Sequence, residues 1–300
     1  MKLNVNIAGV ELKNPIMTAS GTFGSGKDFT SYVDINKLGC VVVKGVANKA
    51  WPGNPPPRIV ETYGGMINAV GLQNPGIDAF CKEDIPFLKQ YDTKIAVNIA
   101  GKSIEDYVEV AQRLVSEEID LLELNISCPN VKEGGVAFGV NPSMAEKITK
   151  AVKKVANQPL IVKLSPNVTD ITEIARAAEN GGADALSLIN TLIGTKIDIH
   201  RQKFILSTKQ GGLSGPAVKP VAVRMVYQVA NAVKLPVIGM GGIMTGEDVI
   251  EFMMAGASAV AVGTANLLNP AATMNILNEV KTFLSDKSID NINDIVGIVA

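Results

Sequence analysis

Short apolar runs alternate along the whole chain with longer segments in which apolar residues recur every three or four positions. Eight of the short runs predict buried strands, since each is four to six residues long and nearly all apolar. Strands of this kind are typical of a parallel sheet that is covered on both faces. The predicted strands are Pro15–Ala19, Cys40–Val43, Ile95–Ile99, Leu121–Ile126, Leu160–Leu164, Ala185–Ile189, Pro236–Met240 and Ala259–Val262.

The segments between these runs predict helices. The first three open with a plausible N-terminal cap, and Asn180-Gly181-Gly182 is a good helix stop. The predicted helices are Ser103–Glu118, Ser143–Asn157, Asp170–Glu179, Val218–Val233, Gly246–Ala255 and Pro270–Leu284.

Eight strands that alternate with helices predict a closed (β/α)8 TIM barrel, an α/β fold, formed by residues 1–300 as a single domain. An open doubly wound sheet is the alternative, but its glycine-rich turn is not matched by the spacing in Gly21–Gly26. Two connections, Ala47–Gly76 and Thr191–Pro216, are too long for plain loops of this fold. Their glycines sit among apolar residues, so we expect ordered loops inserted at the C-terminal face of the barrel.

Composition narrows the function classes. A formal net charge of −1 with 47% apolar residues is ordinary for a soluble globular chain and gives no broad basic surface for nucleic acid or anionic lipid. The apolar runs are too short to cross a membrane, and the N-terminus alternates like a strand without a signal-peptide core, so we expect a cytoplasmic protein.

The cysteines and the single histidine limit the chemistry further. Cys40, Cys81 and Cys128 lie far apart, which argues against a disulfide framework, a zinc site or an iron–sulfur cluster held by this chain alone. We therefore predict no metal site. His200, in the second long connection, is expected to be a structural or surface residue.

Polar residues stand at the predicted strand ends, where barrels of this kind place their active sites. Strand two is followed by Lys44, strand five reaches Lys163 near its end, and asparagines occupy positions 98, 125 and 190. Such groups are costly to bury unless something pairs with them. A single asparagine there can simply cap a loop, but the whole set converging on one mouth predicts a binding site.

Residues 123–130 contain the strongest chemical signal. The apolar run ends abruptly at Pro129, because proline cannot donate to a sheet ladder, and this leaves Cys128 where a strand becomes a loop. A thiol there can act as a base or a nucleophile. On position alone, a small buried core residue is an equally good interpretation. The following segment, 131–139, is rich in glycine and predicts either a lid or a plain surface turn.

The last two strands are followed by glycines that indicate a phosphate site. Gly241-Gly242-Ile243 leads into a helix, and Gly263-Thr264 follows strand eight. Glycines let backbone N–H groups approach an anion, and these two loops are the usual phosphate site of the barrel. Tight turns could account for one of these two glycine-containing loops, but they account less naturally for both. We therefore predict a phosphorylated ligand.

With these residues in view, the chain resembles the class 1 dihydroorotate dehydrogenases, and among them the NAD-linked 1B catalytic subunits, over essentially its full length. The combination of Asn125-Ile126-Ser127-Cys128-Pro129-Asn130 with Gly71-Leu72-Gln73-Asn74-Pro75-Gly76 is highly specific. Further matches are Ala19-Ser20-Gly21, Val43-Lys44-Gly45, Val162-Lys163-Leu164-Ser165, Asn190-Thr191, Gly215-Pro216, Gly239-Met240-Gly241-Gly242-Ile243 and Val262-Gly263-Thr264.

The resemblance implies a flavin mononucleotide (FMN) barrel that oxidises (S)-dihydroorotate to orotate in de novo pyrimidine (UMP) biosynthesis, with hydride passing to FMN N5 and a proton to Cys128 as the catalytic base. The implied contacts of the one FMN are Ser20, Lys44, Gly45, Asn98, Asn125, Lys163, Ile189, Gly215, Gly241, Gly242, Gly263 and Thr264. The implied substrate contacts are Lys44, Asn68, Ala69, Val70, Gly71, Leu72, Asn125, Asn190 and Thr191.

The electron acceptor is only partly predictable. The chain has neither a dinucleotide fingerprint nor cluster-binding cysteines. The resemblance implies a partner subunit with FAD and a 2Fe–2S cluster that passes electrons to NAD+, around a homodimer core within a heterotetramer. Three alternatives stay open here: a fumarate-using class 1A enzyme, a Schiff-base aldolase or lyase that uses Lys44 or Lys163, and a non-catalytic barrel that binds a phosphorylated metabolite.

Overall fold

The computed structural model describes residues 1–127 and 136–299, with only the backbone described at 136 and 137. Within these residues, eight parallel strands form a closed (β/α)8 TIM barrel, as predicted. Each strand pairs with its neighbours in sequence, and the eighth closes onto the first where Val262 is in register with Thr18. The barrel strands are β1 (Ile16–Thr18), β2 (Cys40–Val42), β3 (Lys94–Ile99), β4 (Leu121–Asn125), β5 (Leu160–Lys163), β6 (Ala185–Leu188), β7 (Val237–Met240) and β8 (Ala259–Val262).

Helices surround the barrel. The six predicted helices are present, with ends that differ from the prediction by up to four residues, and the described residues contain four further short helices that were not predicted. The described α-helices are α1 (Ile77–Ala79), α2 (Ile85–Leu88), α3 (Ile104–Leu114), α4 (Val136–Gly139), α5 (Pro142–Lys153), α6 (Ile171–Asn180), α7 (Lys219–Ala230), α8 (Gly246–Met254), α9 (Ala265–Leu268) and α10 (Ala272–Asp286). A π-helical turn, Phe80–Asp84, joins α1 to α2. Short 3-10 turns occupy Lys27–Phe29, Ile35–Lys37, Pro216–Val218 and Ile292–Ile295.

The start of α5 corrects one predicted boundary. The sequence suggested a start at Ser143, whereas Asn141 is the cap: its side chain accepts the backbone N–H of Met144, and Pro142 follows at the first helical position. Proline suits that position because its missing N–H has no intrahelical acceptor there in any case. An N-terminal hairpin is formed by the antiparallel strands Val5–Ile7 and Val10–Leu12. The helices pack their apolar faces on the barrel strands in one core, to which Ile7 and Leu12 of this hairpin also belong. Within residues 1–127 and 136–299, every helix is too short or too polar to serve as a membrane span.

The two long connections are ordered, as expected, but they form strands that the sequence pattern did not predict. Four described strands make an antiparallel sheet, here called the cover sheet, in the order Leu192–Gly194, Gly211–Ser214, Gly65–Asn68 and Ile59–Thr62. Gly212 is in register with Asn68, and a Cβ at Gly212 would lie 1.9 Å from Thr191 Oγ1. Only glycine allows this close approach of the Gly212 backbone to the Thr191 side chain. Because a glycine-rich strand has no alternating apolar pattern, the sequence did not predict it.

Candidate functional site

A cavity of about 280 Å³ opens at the C-terminal end of the barrel. Residues at the ends of all the barrel strands except β3 line it, and the cover sheet supplies further lining through Ile59, Met66, Asn68, Leu213 and Ser214. The long connections therefore form part of the wall of the site.

Most of the residues predicted to bind ligands line this one cavity. They are Ser20, Lys44, Gly45, Asn68, Val70, Gly71, Leu72, Asn125, Lys163, Ile189, Asn190, Thr191, Gly215, Gly241, Gly242, Gly263 and Thr264. Asn98 and Ala69 are fully buried and do not line it. Cys128 lies outside the described residues, as do residues 131–135 of the segment interpreted as a lid or a turn. Residues 136–139 of that segment form α4. His200 is exposed and does not line the cavity.

One end of the cavity is built from backbone. Gly241 and Gly242 adopt φ values of 123° and 83°, which a side chain would strain. Within the described part of the chain, the backbone N–H groups of Gly242, Gly263 and Thr264 have no hydrogen-bond acceptor. Unpaired N–H groups in the loops after β7 and β8, at residues that line one cavity, suit an anion such as phosphate. Tight turns would explain the glycines but not the unpaired N–H groups.

Lys44 brings a half-buried cation to the cavity. Burial lowers the pKa of the Lys44 ammonium below its ordinary value, and the charge of nearby Arg58 lowers this pKa further. Among the described residues, Lys44 Nζ has no ion-pair or hydrogen-bond partner. The neighbouring cation differs in this respect, because Arg58 Nη1 donates a hydrogen bond to Gln73 Oε1 at 2.7 Å. An anionic group of a ligand would therefore supply the counter-charge that the protein does not.

Lys163 is the second cation, and it is almost fully buried. Its Nζ donates to Ser20 Oγ at 3.3 Å and lies 3.9 Å from Glu123 Oε2. Glu123 projects into the barrel from the middle of β4 and is only 2% exposed. A buried carboxylate beside a buried ammonium lowers the cost of keeping both charges away from water.

The asparagines of the mouth are joined by hydrogen bonds. Asn125 Nδ2 donates to Asn98 Oδ1 at 3.2 Å, and Ser127 Oγ donates to Asn125 Oδ1 at 3.2 Å. Asn190 Nδ2 in turn donates to Ser127 Oγ at 2.8 Å, and Asn190 Oδ1 accepts the N–H of Thr191. Asn125 and Asn190 therefore stand in fixed orientations at the cavity wall.

Sequence reasoning missed three polar residues that shape this site, namely Glu123, Ser127 and Ser214. Glu123 had a visible signal, because a carboxylate inside an apolar strand must have partners. Its second oxygen, Oε1, accepts from Ser187 Oγ at 2.8 Å. Ser214 had no such signal, since only the pairing of the cover sheet brings its hydroxyl within 2.9 Å of Thr264 Oγ1.

Comparisons with known proteins show which sequences this chain is similar to. Residues 2–284 match the family model described as dihydroorotate dehydrogenase. The chain is 66% identical over 295 residues to the dihydroorotate dehydrogenase B (NAD(+)), catalytic subunit, of Alkaliphilus oremlandii (strain OhILAs), and the match covers 98% of each chain. It is 63% identical over 299 residues to the protein of the same name from Lachnoclostridium phytofermentans, with 100% of each chain covered.

A solved structure supports the fold. The crystal structure of DHODH in complex with ferulenol from Eimeria tenella matches with a TM-score of 0.84 and 24% sequence identity, covering 99% of this chain and 88% of that one. At this identity the likeness concerns the barrel architecture alone.

Proposed function

Because this chain belongs to the dihydroorotate dehydrogenase family, we propose that the cavity at the mouth of its barrel binds (S)-dihydroorotate and releases orotate. The enzyme is an NAD+-linked dihydroorotate dehydrogenase catalytic subunit of pyrimidine biosynthesis, and it works with a partner electron-transfer subunit. One observation carries the assignment of the site. Two lysines, the amides of Asn125 and Asn190 and a set of unpaired backbone N–H groups line the same cavity.

Enzymes of this family depend on a flavin, and we propose FMN, one per chain. The residues present fit a flavin with a single phosphate, because the unpaired N–H groups of Gly242, Gly263 and Thr264 belong to one cavity wall and suit an anion. Ser20, Lys44, Gly45, Asn125, Lys163, Ile189 and Gly215 would hold the rest of the cofactor. When bound, the flavin accepts the hydride that no amino-acid side chain can take.

We propose that Lys44 pairs with the carboxylate of the substrate and that Asn68, Asn125, Asn190 and Thr191 bind its ring. The unpartnered ammonium of Lys44 suits an anionic group, and carboxamides match the carbonyl and N–H groups of a pyrimidine. Val70, Gly71 and Leu72 line the same part of the wall. These groups hold the substrate still, so the reacting carbon stays within reach of the base.

Cys128 is the proposed base. Oxidation of the substrate C–C bond removes one hydride and one proton, and a thiolate at Cys128 would take the proton from the carbon. The described residues before it support this assignment, since Ser127 is hydrogen-bonded to Asn125 and Asn190 at the cavity wall. A Schiff-base mechanism would instead need Lys44 or Lys163 as a nucleophile, and Lys163 is already held by Ser20 and Glu123.

The proposed assembly follows from the same assignment. The partner subunit would carry FAD and a 2Fe–2S cluster, and two copies of this chain would form the core of a heterotetramer. The names of the relatives favour NAD+ over fumarate as the final acceptor. We place the enzyme in the cytoplasm, where the free thiols of Cys40 and Cys81 would persist. We also propose that the whole chain forms one flavin-binding domain.

Anaerobic titration with dihydroorotate tests the proposed function. The purified chain is expected to be yellow, and dihydroorotate is expected to bleach the flavin absorbance in the absence of oxygen, with orotate as the product. Borohydride added during turnover should trap no adduct. A folded, colourless protein that takes up no FMN on reconstitution would overturn the proposal, as would a flavoprotein that dihydroorotate cannot reduce.

The pH dependence of orotate binding tests the role of Lys44. The pKa of Lys44 is lowered in the enzyme without bound orotate, and a bound carboxylate favours the ammonium form of Lys44. The affinity for orotate should therefore fall as pH rises through that lowered pKa. The limiting slope is about tenfold in Kd per pH unit. Lys44→Met should bind orotate more weakly at neutral pH and lack this slope. Flavin absorbance changes report the Kd for both proteins, and the ionisation of orotate itself is common to both. Equal slopes would remove Lys44 from the anion site.

A further inference from the structure

A buried carboxylate below the cavity sets the direction of a chain of hydrogen bonds. Glu123 Oε2 accepts from Asn98 Nδ2 at 2.5 Å, and Asn98 Oδ1 accepts from Asn125 Nδ2 at 3.2 Å. From Asn125 the chain continues through the hydroxyl of Ser127 to Asn190 Nδ2. It runs from the interior of the barrel to the cavity wall.

The direction of this chain is fixed by chemistry. A carboxylate can only accept hydrogen bonds, so the carboxamide of Asn98 must turn its NH2 group toward Glu123 and its oxygen toward Asn125. Asn125 must then use its nitrogen toward Asn98, which leaves its oxygen for Ser127. The Ser127 hydroxyl, having donated to that oxygen, can only accept from Asn190.

The result is a donor surface at the ligand site. Asn125 Oδ1 is taken up by the N–H and hydroxyl of Ser127, and Asn190 Oδ1 by the N–H of Thr191. Each nitrogen, Nδ2, carries a second N–H, for which the described residues offer no acceptor, and both side chains line the cavity. With either amide reversed, an oxygen would face the carbonyl oxygens of the ring.

We propose that Glu123 is a positioning residue for substrate recognition, which orients the amides of Asn125 and Asn190 through Asn98 so that their N–H groups face the ring oxygens of the bound pyrimidine. This inference rests on the proposed function, because it takes the ligand to be dihydroorotate or orotate. Glu123 does not line the cavity. Its effect on the ligand passes through the two asparagines.

Two substitutions distinguish the role of Glu123 as a hydrogen-bond acceptor from the role of its negative charge. Glu123→Gln and Glu123→Met both remove the negative charge and have similar length. Glutamine can still accept from Asn98, and it is expected to do so because the opposite orientation would bring its NH2 group toward the ammonium of Lys163, now 3.9 Å from Oε2. Methionine offers no comparable acceptor, so the amide of Asn98 becomes free to reverse and to turn its NH2 group toward that of Asn125. The orientation of Asn125 then rests only on the long hydrogen bonds from the N–H and hydroxyl of Ser127, at 3.3 and 3.2 Å.

The measurement is the Kd of orotate, followed by flavin absorbance on FMN-saturated, folded protein. Glu123→Gln should stay within about threefold of wild type, and Glu123→Met should bind about 10- to 100-fold more weakly, the effect of losing one or two ligand hydrogen bonds. Ser187→Ala is the matched control, because Ser187 donates to the other carboxylate oxygen and lies outside the chain. It should bind orotate as wild type does.

The outcomes distinguish the role of Glu123 from other roles and from the proposed function. Equal weakening in the Gln and Met variants would assign the effect to charge and overturn the proposal, and unchanged affinity in the Met variant would overturn it too. If Glu123→Met does not fold, Asn98→Ala breaks the same chain while keeping the Glu123–Lys163 pair. Wild-type affinity in that variant would overturn the proposal. Failure of the wild-type flavoprotein to bind orotate would instead refute the proposed function.

Discussion

Replacement of Cys128 by alanine is expected to slow reduction of the flavin by dihydroorotate about 10²- to 10⁴-fold, the usual contribution of a positioned base. Alanine removes the only group we assign to proton abstraction, while the lysines and amides that line the cavity stay in place. The Kd of orotate and the FMN content should therefore change little. Anaerobic stopped-flow measurement of flavin bleaching gives the rate of this step directly.

The two other cysteines provide the control. Burial raises the pKa of the Cys81 thiol to about 11, with the nearby Glu117 adding to the effect, and burial also raises the pKa of Cys40 well above its ordinary value. Neither thiol can supply a thiolate near neutral pH, and neither lines the cavity. Cys81→Ala should reduce its flavin at the wild-type rate. A wild-type rate in Cys128→Ala would remove this residue from the mechanism.

The alternating pattern of the chain was enough to predict the barrel, because each strand and helix of this fold is a local element. The ends of the predicted strands lie within one or two residues of the observed ends, as in the observed strands Ala259–Val262 and Leu160–Lys163. Parallel barrel strands are joined in sequence order, so topology follows once the elements are known. This locality is also why the strand-end lysines and asparagines could be placed at one mouth.

Features that depend on pairing distant segments could not be predicted in this way. The cover sheet joins Gly65–Asn68 to Gly211–Ser214, and no local pattern marks two glycine-rich segments that lie so far apart. The depth of Asn98 was missed for a related reason. Asn98 is in register with Glu123, two residues before Asn125 on β4, so its side chain belongs to the layer beneath the cavity floor. Register between strands, which decides this depth, is a property of the assembled barrel.

The site therefore has two layers with different tasks. The upper layer, which includes Lys44, Asn125 and Asn190, lines the cavity and is exposed to a ligand. The lower layer, which includes Asn98 and Glu123, is buried and makes its hydrogen bonds within the barrel. Strand-end residues in the sequence identify the upper layer, whereas the lower layer becomes interpretable only once the donors and acceptors are paired.

The second large effect is expected at the anion site, where Gly242→Ala should weaken FMN binding about 100-fold or more. The φ of 83° at Gly242 costs a non-glycine residue roughly 1–3 kcal/mol. A Cβ there would also lie 2.8 Å from Lys219 Cβ and 2.9 Å from Gly215 O. Lys219 cannot easily move away, because its Nζ is paired with Asp248 at 2.6 Å and Glu251 at 2.7 Å. The backbone must shift, and the Gly242 N–H would then be displaced from the proposed phosphate site.

Gly182→Ala is the matched control for this effect. Gly182 also has a positive φ, of 92°, but it follows α6 and does not line the cavity, and a Cβ there would meet only the side chain of Lys153, at 3.3 Å. Both variants carry the backbone strain and should lose stability, Gly242→Ala more so because of its close contacts with Lys219 and Gly215, whereas only Gly242→Ala should lose FMN. Fluorescence titration of the flavin-free proteins with FMN measures both dissociation constants. If Gly242→Ala binds FMN as tightly as Gly182→Ala, the phosphate does not lie on the loop after β7, because a displaced N–H in that loop would then have cost the cofactor nothing.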